Sequence, residues 1–357
     1  MACPPSSMSK IMVRAPNWLG DAVMSLPAIG AIREAFPQVH IAVVVRPSIA
    51  DLYAREAAID NVIPYAAPRG LRGRREFAAR LRQERFDAAI LLQNAFDAAL
   101  VAWLAAIPER IGYSRDARGW LLTRAIPVPE PGEIPRHERF YYLELLRRAG
   151  ILERFPPSAA IRLGGIEAAR QAGAARLRSL AIAAPAVGIS PGAAYGNAKR
   201  WLPERFAEVA RSLPPDTAVL VFGAPSERAL CELVAAQLCR SHIDARNLAG
   251  ETSLAEFIDL AAACRLFLTN DSGAMHVASA LGVPTIAVFG ATDDATTGPT
   301  GPLARVVREH AECSPCLLRE CPIDHRCMTR VTADRVAAAA LRLWEESAPA
   351  WTPEAKF

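Results

Sequence analysis

The polar residues with the clearest chemical potential lie in one turn, at residues 270–276. The surrounding sequence reads as a buried strand, a short polar turn and a helix, so Asp271, Ser272 and Gly273 fall at the helix start. Free backbone N–H groups and the positive end of the helix dipole favour an anion such as a phosphate there. His276 follows one turn later. Simple N-capping by Asp271 or Ser272 is the alternative, but capping leaves Gly273 and His276 unexplained.

A second glycine-containing turn, residues 188–201, follows another predicted strand. Its small residues Gly192, Ala193 and Ala194 allow close approach of the backbone to a ligand, as phosphate loops require. Lys199 could neutralise the charge on a departing diphosphate, and it stands out as one of 3 lysines among 41 basic residues. The alternative is an ordinary loop with a surface lysine and Trp201 packed in the core.

Two acidic residues also follow predicted strands. Glu227 could accept hydrogen bonds from ribose hydroxyls, or it could simply complement the dipole of the helix that it begins. Asp21 could be an N-cap, or it could serve as general base towards a hydroxyl nucleophile. Both residues are therefore candidates for an active site that handles a nucleotide and a hydroxyl group.

Two clusters of side chains have other possible uses. Arg69, Arg72, Arg74 and Arg75 could form a solvated helix start, or bind an anionic acceptor or an acidic membrane surface. The cysteine spacing at residues 313–327, which includes His325, favours thiolate ligation of structural zinc in a reduced compartment. Free thiols or disulfides are the alternatives. The four cysteines concerned are Cys313, Cys316, Cys321 and Cys327.

The elements that must position these residues alternate between apolar strands and helical patterns. This alternation predicts an α/β fold with two doubly wound, Rossmann-like parallel-sheet domains facing a cleft. Helical stretches are expected to dominate from residue 93 to Gly150. Strands are predicted at residues 11–13, 40–45, 61–64, 87–92, 186–190, 218–222, 266–269 and 285–289, and the domains at residues 1–165 and 166–335, followed by a helix and tail at 336–357.

Composition limits the possible partners. The chain has 357 residues and a net charge of only +4, which argues against nucleic-acid binding. Its beginning lacks a secretory signal, and no apolar segment reads as a spanning helix, so a cytoplasmic protein is expected. No Asp-x-Asp sequence occurs, so a reaction releasing a diphosphate is expected to need no catalytic metal held by carboxylates.

Four segments together resemble the lipopolysaccharide heptosyltransferases of glycosyltransferase family 9, and within them type II more than type I. They are residues 13–21, 190–201, 247–254 and 269–276. The resemblance implies a GT-B fold and an inverting transfer of heptose from ADP-heptose to the heptose/Kdo inner core of lipopolysaccharide. It further implies an acceptor-binding first domain, a donor-binding second domain, and a monomer peripheral to the cytoplasmic face of the inner membrane, in transient contact with its inner leaflet.

The resemblance also implies roles for individual residues. Asp21 would be the catalytic base, and Lys199 would assist the departing diphosphate. Type I members carry two threonines where this chain has Ala193 and Ala194, which leaves backbone N–H groups for that contact. The implied donor-binding residues are Ala193, Ala194, Lys199, Glu227, Thr252, Asp271, Ser272, Gly273 and His276. The implied acceptor-binding residues are Asn17, Trp18, Arg69, Arg72, Arg74 and Arg75.

Three other functions remain open at this point. A related heptosyltransferase of type I or III would use a different acceptor. A non-hydrolysing nucleotide-sugar epimerase would keep the fold and need no acceptor. A non-catalytic binding module organised by a metal at the four cysteines would need neither a sugar donor nor an acceptor.

Overall fold

A computed structural model describes residues 8–68, 70–183 and 185–348 of the chain. The chain divides into two compact units, residues 1–164 and residues 165–357. Within the described part, no helix is long and apolar enough to cross a membrane.

The first unit is built on a six-stranded sheet in the order β3-β2-β1-β4-β5-β6, with every pairing parallel. The central strands are continuous apolar runs, as expected for strands covered by helices on both faces. The strands are β1 (Lys10–Arg14), β2 (His40–Val45), β3 (Asn61–Pro64), β4 (Ala88–Leu91), β5 (Glu109–Tyr113) and β6 (Arg124–Ile126).

Six α-helices accompany this sheet. They are α1 (Leu19–Met24), α2 (Leu26–Ala35), α3 (Ala50–Tyr53), α4 (Gly70–Gln83), α5 (Phe96–Leu104) and α6 (Arg139–Arg148). The amphipathic pattern of residues 22–36 predicts a single helix, but in the structure Ser25 separates α1 from α2. The Ser25 hydroxyl donates to the Ala22 carbonyl at 2.8 Å, and Pro27 has no N–H to continue the helical bonding.

The prediction that residues 93–150 are mainly helical is wrong in part, because β5 and β6 lie there. Strand β6 is at the edge of the sheet and has only three residues. Strand β5 lies next to it and begins with the charged residues Glu109 and Arg110. A short edge strand lacks the long apolar run that identifies a central strand in a sequence. The same reason applies to the two edge strands of the second unit.

The second unit repeats the strand order of the first: β12-β11-β10-β7-β8-β9, again all parallel. All four strands predicted for this unit are present. The strands are β7 (Ala186–Ser190), β8 (Ala218–Val221), β9 (Ala245–Asn247), β10 (Leu266–Asn270), β11 (Thr285–Phe289) and β12 (Ala304–Arg308).

The helices of the second unit are α7 (Ile166–Ser179), α8 (Pro203–Arg211), α9 (Arg228–Arg240), α10 (Leu254–Ala262), α11 (Gly273–Ala280), α12 (Asp294–Thr297), α13 (Arg326–Thr329) and α14 (Ala333–Glu346). Helix α14 buries Val336, Ala340 and Leu343 in the same core as β7 and β10. The last helix is therefore an integral part of this unit.

In each sheet the first strand lies beside the fourth, and the connections leave in opposite directions from this pair. In open parallel sheets, ligands bind outside the carboxyl ends of the strands at this point. The loops after β1 and β4 occupy it in the first unit, and the loops after β7 and β10 occupy it in the second.

Candidate functional site

Asn270, the last residue of β10, connects the turn at residues 188–201 to the turn at residues 270–276. Its side-chain oxygen accepts a hydrogen bond from the backbone N–H of Trp201 at 3.0 Å. Its amide nitrogen donates to the carbonyl of Pro191 at 2.7 Å. A fully buried amide with these bonds fixes the loop after β7 relative to the end of β10.

Lys199 and Asp271 form an ion pair between these two turns, with 2.6 Å from Nζ to Oδ2. Only 14% of the lysine side chain and 4% of the aspartate side chain are exposed. Thr292 donates a hydrogen bond of 2.5 Å to the same carboxylate oxygen. The alternative of a surface lysine is therefore wrong for Lys199, although Trp201 is packed in the core as that alternative supposed.

Helix α11 begins directly after the ion pair. Ser272 occupies the N-cap position, but its side chain makes no capping hydrogen bond, and its hydroxyl lies 3.1 Å from that of Thr269. Simple capping therefore does not explain this turn. Gly273 opens the helix and His276 is buried one turn later, so the helix N-terminus and Lys199 offer positive potential at one place.

Glu227 packs against the turn at Gly192, where a β-carbon would overlap its carboxylate. One carboxylate oxygen accepts a hydrogen bond from the Ala224 N–H at 2.9 Å. The other, Oε1, is buried and has no hydrogen-bond partner among the described residues; the nearest cation, Arg200, is 4.0 Å away. Glu227 also sits at the start of α9, but the unsatisfied oxygen favours a role in accepting a bond from a ligand.

The other predicted donor residues lie around these turns. Ala193 is buried and Ala194 is exposed. Half-buried Thr252 precedes Ser253, the N-cap of α10. The Gly250 N–H donates to the Gly223 carbonyl at 3.0 Å, which joins the turn containing Thr252 to the turn before Glu227.

In the first unit, Asp21 lies in the first turn of α1 and is half-buried. The N-cap of that helix is Trp18, so the alternative that Asp21 is an N-cap is wrong. Trp18 is 55% exposed, and the Asn17 side-chain oxygen accepts a bond of 3.2 Å from Arg14. The carboxyl end of β1 thus presents an amide, an indole and a carboxylate.

Glu138, which precedes α6, was not selected from the sequence. Burial and the neighbouring charge of Asp21 raise its pKa to about 7. Burial and the same aspartate also raise the pKa of Tyr142. More than a hundred residues separate Asp21 from Glu138 and Tyr142. No local pattern in a single sequence predicts that residues so far apart lie close together.

The described arginines of the predicted cluster lie on α4. Arg69 is outside the described residues. Arg72 pairs with Glu76 at 2.9 Å, and Arg74 pairs with Asp97 of α5. Arg75 is exposed. The cluster is thus a helix start, and its outer face is accessible to an anion.

The cysteine segment, residues 313–327, packs on the loop that carries Lys199. The backbone N–H of Ala198 donates to the Arg319 carbonyl at 3.0 Å. The N–H of Cys321 donates to the Asn197 side chain at 3.2 Å, and His325 Nε2 lies 3.1 Å from the Ala198 carbonyl oxygen. A segment remote in sequence therefore supports the lysine loop.

The four thiols of this segment are free. Burial raises the pKa of Cys327 to about 11, and the nearby thiols of Cys313, Cys316 and Cys321 add to the effect. Throughout the described part of the chain, however, no three His, Cys, Asp or Glu side chains are arranged to hold a metal ion. The zinc site stays a prediction, and no step of a reaction depends on it.

Residues 74–326 match the family model described as glycosyltransferase family 9 (heptosyltransferase). Lipopolysaccharide heptosyltransferase 2 of Escherichia coli K12 is 33% identical over 307 residues, covering 84% of this chain and 88% of the relative. Lipooligosaccharide heptosyltransferase 2 of Haemophilus ducreyi is 30% identical over 328 residues, with the same coverage of 84% and 88%.

The solved structure of Escherichia coli ADP-heptose lps heptosyltransferase II superposes with a TM-score of 0.79. It is 29% identical in sequence, and the match covers 95% of this chain and 99% of that one. The two doubly wound sheets are therefore those of a GT-B fold.

Proposed function

Because this chain belongs to glycosyltransferase family 9 (heptosyltransferase), we propose that it transfers heptose from ADP-heptose to the heptose/Kdo inner core of lipopolysaccharide, with inversion. The observation that carries the donor half of this proposal is the pair of half-buried Lys199 and buried Asp271 beside the start of α11. A half-buried lysine at a helix N-terminus suits a diphosphate, which needs positive charge and backbone donors together.

The donor would be bound by different groups at its different parts. The ammonium of Lys199 and the N–H groups at Ser272 and Gly273 would bind the diphosphate. Asp271 would hold Lys199 in place rather than contact the phosphate, because two anionic groups repel. The free oxygen of Glu227 would accept a hydrogen bond from a ribose hydroxyl, with Thr252 beside the nucleoside.

The transfer itself would be a single displacement. The acceptor hydroxyl oxygen forms a bond to the anomeric carbon as the bond from that carbon to the phosphate oxygen breaks. Asp21 takes the hydroxyl proton, and ADP leaves from the opposite face, so the configuration inverts. Lys199 and the helix N-terminus stabilise the negative charge that builds up on the leaving diphosphate, and His276 would contact the donor sugar.

The acceptor is a lipid that carries Kdo and a first heptose, and it is anionic. Asn17 and Trp18 would contact its sugars beside Asp21, and the arginine cluster would bind its negative groups. In this proposal the enzyme works as a monomer at the cytoplasmic face of the inner membrane.

Substitution of Asp21 tests the proposal directly. We expect Asp21→Asn to lower kcat about a thousandfold, the range of a general base, while ADP-heptose binding measured by calorimetry stays unchanged. Asp51→Asn is the matched control, because Asp51 is also half-buried in the first turn of a helix of the same unit. Full turnover by Asp21→Asn would rule out this residue as the base.

The acceptor assignment needs a separate assay. We expect release of ADP only when donor and acceptor are both present, and fastest with a core that ends in the first heptose. A preference for a core without that heptose would assign a type I activity, and a preference for one with a second heptose a type III activity. An isomerised sugar formed from the donor alone would reveal an epimerase.

A further inference from the structure

Three aromatic side chains of the first unit form an exposed patch. Trp120 is 70% exposed, Trp103 46% and Phe96 39%. The Trp120 ring centroid lies 6.3 Å from that of Phe96 and 6.4 Å from that of Trp103. The three rings are therefore one continuous apolar surface, which we call the aromatic patch.

The backbone beneath Trp120 is firmly held. Leu121, the next residue, and Arg118, two residues earlier, are both fully buried. Arg118 donates hydrogen bonds to the Tyr113 carbonyl at 3.0 Å and to the Asn94 side chain at 3.0 Å. Trp120 thus faces outward because the residues on either side of it are fixed inward, and its ring is presented in one place.

Arginines of α4 flank the patch at both ends of α5. Arg74 pairs with Asp97, the residue after Phe96, and Arg82 donates to the carbonyl of Leu104, the residue after Trp103, at 2.7 Å. Helix α4 has five arginines and one glutamate. Its net charge therefore equals the +4 of the whole chain, and positive charge is concentrated beside the patch.

We propose that the aromatic patch, together with the arginines of α4, docks the enzyme on an anionic lipid surface. Tryptophan rings favour the boundary between lipid headgroups and acyl chains, and arginines are attracted to anionic headgroups. A second copy of the chain fits this surface less well, because a symmetric pairing would bring two strongly positive helices together. The inference rests on the proposed function, in which the acceptor is a membrane lipid.

Vesicle binding by the full chain tests the docking surface. We expect the protein to float with vesicles containing phosphatidylglycerol, and to bind pure phosphatidylcholine vesicles weakly. The double variant Trp103→Ser/Trp120→Ser should bind the anionic vesicles about tenfold more weakly. Leu233→Ser is the matched control, because Leu233 is 60% exposed on a helix of the second unit and should leave vesicle binding unchanged.

Transfer to a water-soluble, lipid-free acceptor separates this proposal from the proposed function. The double variant should retain that transfer at the wild-type rate, which also shows that it folds. If the double variant does not fold, the single variant Trp120→Ser takes its place. Undiminished vesicle binding by the variants would overturn the docking surface. So would a wild-type dimer, measured by light scattering, that the tryptophan variants dissociate. Absence of transfer by the wild type would instead refute the proposed function.

Discussion

At the scale of residues, the contact with Asp271 holds the ammonium group of Lys199 at a defined point of the second unit. An unpaired lysine would have four flexible bonds and would lose much freedom on binding an anion. The 2.6 Å contact with Asp271 removes that freedom before any ligand arrives. The pair is therefore suited to position the ammonium group as well as to stabilise the fold.

We predict that Lys199→Met weakens ADP binding and lowers the free energy of unfolding by about 3 kcal/mol, because Asp271 is left buried and unpaired. Lys199→Met/Asp271→Asn should recover much of the stability but none of the ADP affinity. Calorimetry and urea unfolding measure the two effects. Lys10→Met is the control: its pair with Glu84 is more exposed, so the loss should be under about 1 kcal/mol. Equal ADP binding by all variants would exclude Lys199 from the donor site.

A pH dependence of stability follows from Glu138, whose pKa burial and Asp21 raise from 4.5 to about 7. The folded state then holds this proton more tightly than the unfolded state does. The contribution of Glu138 to stability is therefore fully present at low pH and is lost as the pH rises from about 4.5 to about 7. We predict that Glu138→Gln reduces the drop in melting temperature between about pH 5 and about pH 8.

The exposed Glu76 on α4 provides the comparison for this measurement. Glu76→Gln should leave the drop in melting temperature at its wild-type size. A drop that Glu138→Gln does not change would show that the carboxyl of Glu138 ionises normally in the folded protein.

At the scale of elements, the close packing of α7 on α10 depends on Gly173. A β-carbon there would overlap the backbone carbonyl of Asp259, so the helices would have to separate. We predict that Gly173→Ala lowers the free energy of unfolding by about 2 kcal/mol. Gly30→Ala in α2 is the control, because nothing lies within 4 Å of its added carbon. It should stabilise by up to about 1 kcal/mol, and equal effects in urea unfolding would contradict the packing argument.

The cysteine segment gives a prediction about metal content. If the four thiols bind zinc, elemental analysis should find about one zinc per chain, and Cys316→Ser should remove it. The exposed thiol of Cys239 on α9 is the control, and Cys239→Ser should retain the metal. A metal-free wild-type protein would contradict the prediction of a zinc site.

At the scale of the whole molecule, eight strands were predictable from the sequence, and β5, β6, β9 and β12 were not. Strands β2, β7 and β11 have the predicted bounds, because long apolar runs mark a strand that is covered on both faces. The edge strand β3 also has the predicted bounds, although it is short and partly exposed. Strands β6 and β9 have three residues each. Their position is decided by the neighbouring strand rather than by their own sequence.

The candidate site was also predictable only in part. Asp271, Ser272 and Gly273 could be placed from the sequence because strand, turn and helix start are local patterns. The pairing of Lys199 with Asp271 spans 72 positions, and the contact of Glu227 with Gly192 depends on how two turns meet. Such contacts follow from the strand order of the sheet, which a single sequence does not state.

The bonds of Asn270 tie the end of β10 to the loop after β7, and the contacts of Lys199 and Glu227 described above also lie within residues 165–357. Those contacts are therefore inherited together when that half of the chain is exchanged. A chimaera that joins this half to the first half of another family member would retain all of these contacts. Recombination at the boundary after Gly164 can thus diversify one half of the enzyme while these contacts of the other half stay intact.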